Sequence, residues 1–221
     1  MANDVEQSLV AAHPDLGPLL EGQAASQRAR LLEGMMAAVS EKGYAAATVA
    51  DAVAHARVSR GTFYALFSSK EECFLESYRH GVDVLQARVG EASDRAGGWR
   101  EGLEAGLRVY LQTLAAEPRF ARAYLLEIHA AGPAAEAARD EVLRAFARRY
   151  GASFAAATRR RPTLAVPPAD ILFMLAAGVD QLVCAQLRAH GAERLPELLG
   201  TLTTAALSVL DGYAQAIKKE R

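Results

Sequence analysis

The chain has 221 residues, a net charge of −1 and 51% hydrophobic side chains, chiefly Ala, Leu and Val. That is enough for a sizeable core in one large or two small domains. It excludes a globally basic nucleic-acid coat, so any contact with nucleic acid must rest on local charge. Cys73 and Cys184 stand far apart without ligand spacing, which excludes a disulfide framework and a zinc site and fits buried thiols in a reducing compartment.

Ala, Leu, Arg and Glu outweigh Ile, Thr and the aromatics, so the expected fold is all-α, and no strand pattern or internal repeat is seen. Residues 1–24 read as a mobile arm. They hold acids, no Lys or Arg precedes Arg28, and Pro14 and Gly17-Pro18 stand where a signal peptide needs an apolar run. A helix is expected from about Ser26 to Glu41, with Leu31, Leu32, Met35 and Val39 inward and Gly43 as its stop.

Two short helices and a tight turn follow. Thr48 is a good N-cap, with Asp51 placed for a variant capping box, and Val49, Ala52 and Val53 share one face. The pattern breaks at Ala56-Arg57-Val58, and Ser59 caps the next helix. There Phe63, Leu66 and Phe67 share the inner face at i, i+3, i+4 spacing. The outer face carries Gly61, Thr62, Ala65 and Ser68, with Tyr64 on the flank. This face is small, polar and free of acid, so it can press into a DNA major groove. From Lys42 to Lys70 the charges are Lys42, Arg57, Arg60 and Lys70 against Asp51 alone.

A fourth helix is expected from Ser69 to about Val89, opened by a capping box of Ser69 and Glu72. Ala96-Gly97-Gly98 marks a break. Further helices are expected at about Trp99–Ala115, Arg119–Ala130, Ala134–Arg159, Ala169–His190 and Leu195–Ile217, separated by Gly and Pro signals. The longest apolar run, Ile171 to Val179, is too short to span a bilayer, so a soluble cytoplasmic protein without a membrane partner is expected. The last two helices are unusually apolar. Leu195, Leu199, Leu202, Ala206, Val209, Tyr213 and Ile217 form a heptad-like seam, and Ile171 to Val179 is apolar on every side. Either the protomer's own core or a second protomer covers them.

The residues Gly43-Tyr44, Thr48-Val49-Ala50, Ala54, Val58 to Tyr64, Phe67 and Ser69-Lys70-Glu71-Glu72 resemble the TetR/AcrR family of transcriptional regulators, over roughly residues 26–80. One position departs from the pattern. Arg57 stands where the family often has Gly, and a left-handed conformation there costs Arg about 1 kcal/mol more than Gly.

The resemblance implies a helix-turn-helix DNA-binding domain at 25–75 and a helical ligand-binding and dimerisation domain at 76–221. It implies a homodimer in which the last two helices pair with their copies, with Ile171, Leu175, Leu182, Leu195, Leu199, Leu202, Ala206, Val209 and Tyr213 at the interface. Two-fold symmetry suits a palindromic operator in double-stranded DNA. The DNA-binding residues expected are Thr48, Arg57, Ser59, Arg60, Gly61, Thr62, Tyr64 and Lys70. Arg60 reads a base and Thr62 a thymine methyl or a phosphate, while Tyr64, Thr48 and Lys70 hold phosphates. Thr48 and Ser59 act equally well as plain helix caps.

By the same resemblance a small-molecule effector fills a cavity among the middle helices. The candidate lining is Trp99, Leu103, Tyr110, Phe120, Tyr124, Phe154, Phe173 and Met174, whose aromatic and Met walls suit a flat or greasy molecule. Each taken singly reads more readily as ordinary core packing. Glu127, His129 and Asp180 either orient a ligand or pair with Arg122 or another base. The sequence holds no Gly-rich phosphate loop and no GxSxG, HExxH or DxDxDG motif, so neither an enzyme nor a cofactor nor a metal site is expected. The alternatives are an orphan or protein-partnered regulator with the same DNA head and no small-molecule inducer and, more remotely, a helical enzyme.

Overall fold

The computed structural model describes residues 17–160 and 166–219, with side chains for 25–155 and 166–213. The first part of the expected arm, 1–16, lies outside the described residues. Nine α-helices and no strand occur among the described residues. They are α1 Gly17–Lys42, α2 Val49–Ala56, α3 Arg60–Leu66, α4 Lys70–Asp94, α5 Trp99–Ala116, α6 Pro118–Leu125, α7 Pro133–Arg160, α8 Ala169–His190 and α9 Leu199–Lys219. Two 3-10 turns, Glu127–Ala130 and Ala192–Leu198, complete the list. The described residues form two compact units, the first ending at His80 and the second beginning at Gly81.

In the first unit α1 packs across α2 and α3. Leu31, Met35, Ala38 and Val39 of α1 meet a core of Ala52, Phe63, Phe67, Phe74 and Tyr78, all buried. The approach of α1 to α2 is close because Gly34 has no side chain. A Cβ there would lie 2.5 Å from the Ala52 carbonyl oxygen. Helix α1 begins at Gly17, earlier than Ser26, and Pro18 sits in its first turn, where its missing N–H is no loss.

The turn between α2 and α3 is closed by Arg57, at φ 53° and ψ 47°, the left-handed conformation. Its N–H bonds to the Ala54 carbonyl at 3.3 Å and that of Val58 to Val53 at 3.2 Å, the crossed pair of a Schellman motif. Arg57 is the one non-glycine residue with positive φ among those described.

In the second unit α5 lies against the 3-10 turn Ala192–Leu198, α9 and α7, while α7 runs along α8. The last helix starts at Leu199 and not at Leu195, because Pro196 in the preceding segment has no N–H to donate and holds it as a 3-10 turn. Helix α6 stops at Leu125 and gives way to the turn Glu127–Ala130. Helix α8 departs from expectation in one respect. At 22 residues, with mean hydropathy 1.5 over its most apolar window, it is long and apolar enough to cross a membrane. It packs on α7 and on the turn Ala192–Leu198, as a core helix does.

Candidate nucleic-acid interface and ligand cavity

The reading face of α3 is built by its caps. Ser59, in extended conformation, accepts the Thr62 N–H on Oγ at 2.9 Å, and the two hydroxyls lie 2.9 Å apart. This starts the helix at Arg60 and turns Phe63 into the core. Arg60, Gly61, Tyr64 and Ala65 remain exposed, Tyr64 by 55%. Gly61 and Ala65 leave the backbone nearly bare between the two long side chains. At the other end Arg28 fixes the helix. Its Nη1 donates to the Leu66 carbonyl at 3.1 Å, its Nε to Glu76 Oε1 at 2.6 Å and its Nη2 to Glu76 Oε2. The guanidinium also lies 4.5 Å from the Phe67 ring centroid. The Glu76 hydrogen bonds hold the Arg28 pKa above its ordinary value.

Thr48 forms the expected capping box. Asp51 N–H donates to Thr48 Oγ1 at 3.2 Å, and Thr48 N–H and hydroxyl donate to Asp51 Oδ2 at 3.0 and 2.8 Å. Lys42 Nζ reaches Asp51 Oδ1 at 2.6 Å. Bonds from Lys42 first, then Thr48, hold the Asp51 carboxyl down at about 2.

The box at the start of α4 is split between two serines. Ser69 Oγ accepts the Glu72 N–H at 3.1 Å, but the Glu72 carboxylate accepts from the Ser68 N–H at 2.7 Å and the Ser68 hydroxyl at 2.5 Å. Lys70 turns back to the α1–α2 loop, where Nζ donates to the Tyr44 carbonyl at 2.8 Å and the Ala47 carbonyl at 3.0 Å. Thr48, Arg57 and Ser59 are exposed and Thr62 and Lys70 half-buried.

The second unit holds a cavity among α4, α5, α6, α7, α8 and α9. Its walls include Val89, Trp99, Leu103, Leu107, Tyr110, Tyr124, Leu143, Phe146, Tyr150, Ala176, Val179 and Leu210, with Ser93, Arg149, Ser153 and Asp180 as polar members. Its volume is about 40 Å³.

Of the expected lining, Trp99, Leu103, Tyr110, Tyr124 and Asp180 face it. Phe154 is packed behind Trp99, ring centroids 4.7 Å apart, and Phe120 stacks on Tyr124 at 5.3 Å. Phe173 lies under the Arg144 guanidinium, 4.8 Å from it, and Met174 is 56% exposed. Glu127 pairs with Arg122 at 3.1 Å, and His129 is exposed. Asp180 holds Arg139 in a bidentate pair, with Nη1 to Oδ1 at 3.1 Å, and only 7% and 4% of the two side chains are exposed. Burial raises the Tyr110 pKa well above its ordinary value, and raises that of Tyr150 to about 12.

Leu107, Phe146, Arg149, Tyr150 and Ser153 escaped the sequence reading, although Leu143, Phe146, Tyr150 and Ser153 follow helical spacing on α7. Arg28 and Arg139 escaped it too, since nothing local marks a partner 48 or 41 residues away.

Of the expected interface residues, Leu175, Leu195, Leu202 and Ala206 are buried within their own protomer. Ile171, Leu199, Val209 and Tyr213 are half-buried, and Leu182 is 45% exposed. The open stripe of α8 is Met174, Gly178, Leu182 and Ala185, and that of α9 is Thr201, Thr204, Ala205, Ser208 and Gly212.

A capped turn, a short exposed helix with a bare backbone and a basic margin define a helix-turn-helix DNA-binding protein. Residues 31–77 match the profile of the bacterial regulatory proteins of the tetR family. The first unit thus carries the N-terminal domain of that family, a helix-turn-helix DNA-binding domain.

Among solved structures the chain is similar to the fatty acid degradation regulator FadR from Bacillus halodurans. The identity is 17%, over 84% of this chain and 95% of that one, with a TM-score of 0.74. It is similar also to FadR from Bacillus subtilis, solved in complex with stearoyl-CoA, at 15% identity, 83% and 97% coverage and a TM-score of 0.72. A TetR-family regulator from Pectobacterium atrosepticum is 20% identical over 86% of this chain and 95% of that one, with a TM-score of 0.63. At these identities the likeness is one of fold. No match is found among the curated proteins.

Proposed function

We propose that this protein is a repressor that binds a palindromic operator as a homodimer and is released by a small, largely apolar effector. The observation that carries the reading is the pairing of an exposed α3 face with a separate, aromatic-walled cavity in the second unit. Arg60 is the base reader, because a guanidinium pairs bidentately with guanine, and Thr62 contacts a thymine methyl or a phosphate. Gly61 and Ala65 let the helix backbone approach the groove floor. Tyr64, Thr48, Ser59, Arg57 and Lys70 serve the phosphates. Lys70 does so with a donor left over from its structural bonds, since a lysine ammonium has three and Lys70 uses two on carbonyls, whereas Thr48 must turn its hydroxyl from Asp51 to the phosphate.

The dimer forms on the open stripes of α8 and α9. Met174 and Leu182 supply apolar contact, and a Cβ at Gly178 or Gly212 would meet nothing within 4 Å, so a partner helix can approach closely there. The domains act as a head at 25–75 and a sensor at 76–221, and the protein works in the cytoplasm. The effector shifts a population, binding the DNA-incompetent state better than the competent one.

The small volume of the cavity supports one second reading, a regulator of the same kind without a small-molecule inducer. Binding to the intergenic DNA beside this protein's own gene tests both. It would be measured at fixed salt with and without a panel of apolar compounds and acyl-CoAs, the latter chosen from the Bacillus subtilis complex. Specific binding abolished by one compound supports the repressor. Specific binding that none disturbs supports the second reading, and no specific binding overturns the operator assignment.

A further inference from the structure

The cavity is apolar along most of its wall, yet its charged members differ in kind. Asp180 is satisfied, held by Arg139 through two hydrogen bonds. Arg149 is not. Its one ion pair among the described residues is with Asp94 at 3.8 Å, beyond hydrogen-bond reach, and Asp94 is itself exposed. No hydrogen bond from the Arg149 guanidinium to a described residue is formed. A guanidinium has five donors in a planar fork, suited to the two oxygens of a carboxylate.

Its position is built in. A Cβ at Gly90 would collide with Arg149 Nη2, so the guanidinium rests against bare backbone of α4. Ser153, one turn further along α7, and Ser93 of α4 add hydroxyls to the same cavity, and Trp99 adds an aromatic face.

We propose that the effector is an organic anion, a carboxylate on a short apolar body, with the carboxylate on Arg149 and the body against the aromatic wall. This rests on the effector-released repressor reading and names the chemical class of its ligand. An apolar body matches the tyrosine, leucine and phenylalanine side of the cavity, where a second charge would lack a partner. A half-buried arginine with unused donors gives an anion charge-assisted bonds that a neutral head group of the same size cannot match.

Trp99 is the chain's single tryptophan, so its emission reports occupancy directly. The full chain would be titrated with hexanoate and benzoate, and with their neutral counterparts 1-hexanol and benzyl alcohol. Each anion is expected to bind about tenfold or more tighter than its alcohol. Arg149→Gln is expected to erase that difference, and Arg149→Lys to keep part of it. Gly90→Ala, which displaces only the flexible end of Arg149, is expected to reduce it without loss of fold.

Equal affinity for anion and alcohol overturns the proposal, as does an unchanged preference in Arg149→Gln. Silence of Trp99 with both anions up to about 10 mM, a concentration that still detects very weak complexes, overturns it as well. Operator binding by the ligand-free protein is scored separately. A failed anion preference therefore leaves the DNA reading intact, and a failed operator assay leaves the Trp99 titration interpretable.

Discussion

Lys70 and Tyr44 hold each other twice: the ammonium donates to the Tyr44 carbonyl at 2.8 Å and sits 4.2 Å from the centroid of the Tyr44 ring. A second bond, to the Ala47 carbonyl, extends the grip along the loop that leads into α2. Tyr44 in turn packs on Phe74, ring centroids 4.9 Å apart, so the first turn of α4 and the α1–α2 loop form one piece. Lys70→Ala is therefore expected to lower Tm as well as DNA affinity, and to reduce the salt slope of binding by about one unit if the remaining donor meets a phosphate. Lys70→Met, which keeps the stem over the ring, separates the effects. An unchanged slope in both variants removes the phosphate role.

Arg60 and Tyr64 stand on the same exposed face but are assigned different work. Arg60→Ala is expected to cost about 1–3 kcal/mol on the operator and to relax preference at one base pair. Tyr64→Ala is expected to weaken all sequences alike. Binding measured on a set of single-base operator variants distinguishes the two, and a uniform loss with Arg60→Ala contradicts base reading.

Asp180→Asn is expected to destabilise the second unit by about 3–5 kcal/mol, because Arg139 keeps its charge in a buried place without the carboxylate that balances it. Replacing the two together by Arg139→Met and Asp180→Leu is expected to recover most of that loss. Thermal unfolding of the single and double variants gives the coupling directly.

Leu182→Glu is expected to leave protomer stability nearly unchanged, since Leu182 is 45% exposed, and to yield monomers in analytical ultracentrifugation. Operator affinity should fall with it. A variant that sediments like the parent places the dimer contact elsewhere.

The Asp51 capping box gives the first unit a pH dependence of known sign. The carboxyl titrates at about 2 in the folded protein against an ordinary 3.8, so the stability it contributes is complete above the higher value. That stability is lost as pH falls through the lower one. Asp51→Asn should flatten this acid limb in a pH series of unfolding midpoints.

The helix-turn-helix was legible because it is written locally. Thr48, Ser59 and Arg57 act on backbone groups within five residues, so caps, turn and inner face could be read from spacing alone. The same holds for the Gly and Pro signals that bounded α7 and α8. The head's anchors were not legible. Arg28 on Leu66 and Glu76, and Lys70 on Tyr44 and Ala47, join positions whose distance in the chain conceals their contact.

In the second unit the sequence by itself determined that α8 and α9 are too apolar to stand in water. Only packing decided that Leu175, Leu195, Leu202 and Ala206 turn into their own core while Met174, Gly178 and Leu182 stay open. An apolar helix offers several faces of similar hydrophobicity, and the rotation that neighbouring helices impose chooses among them. The cavity follows the same logic. Its aromatic content was visible, but whether Phe154 or Ser153 lines it is a matter of about 100° around α7, which no local signal specifies.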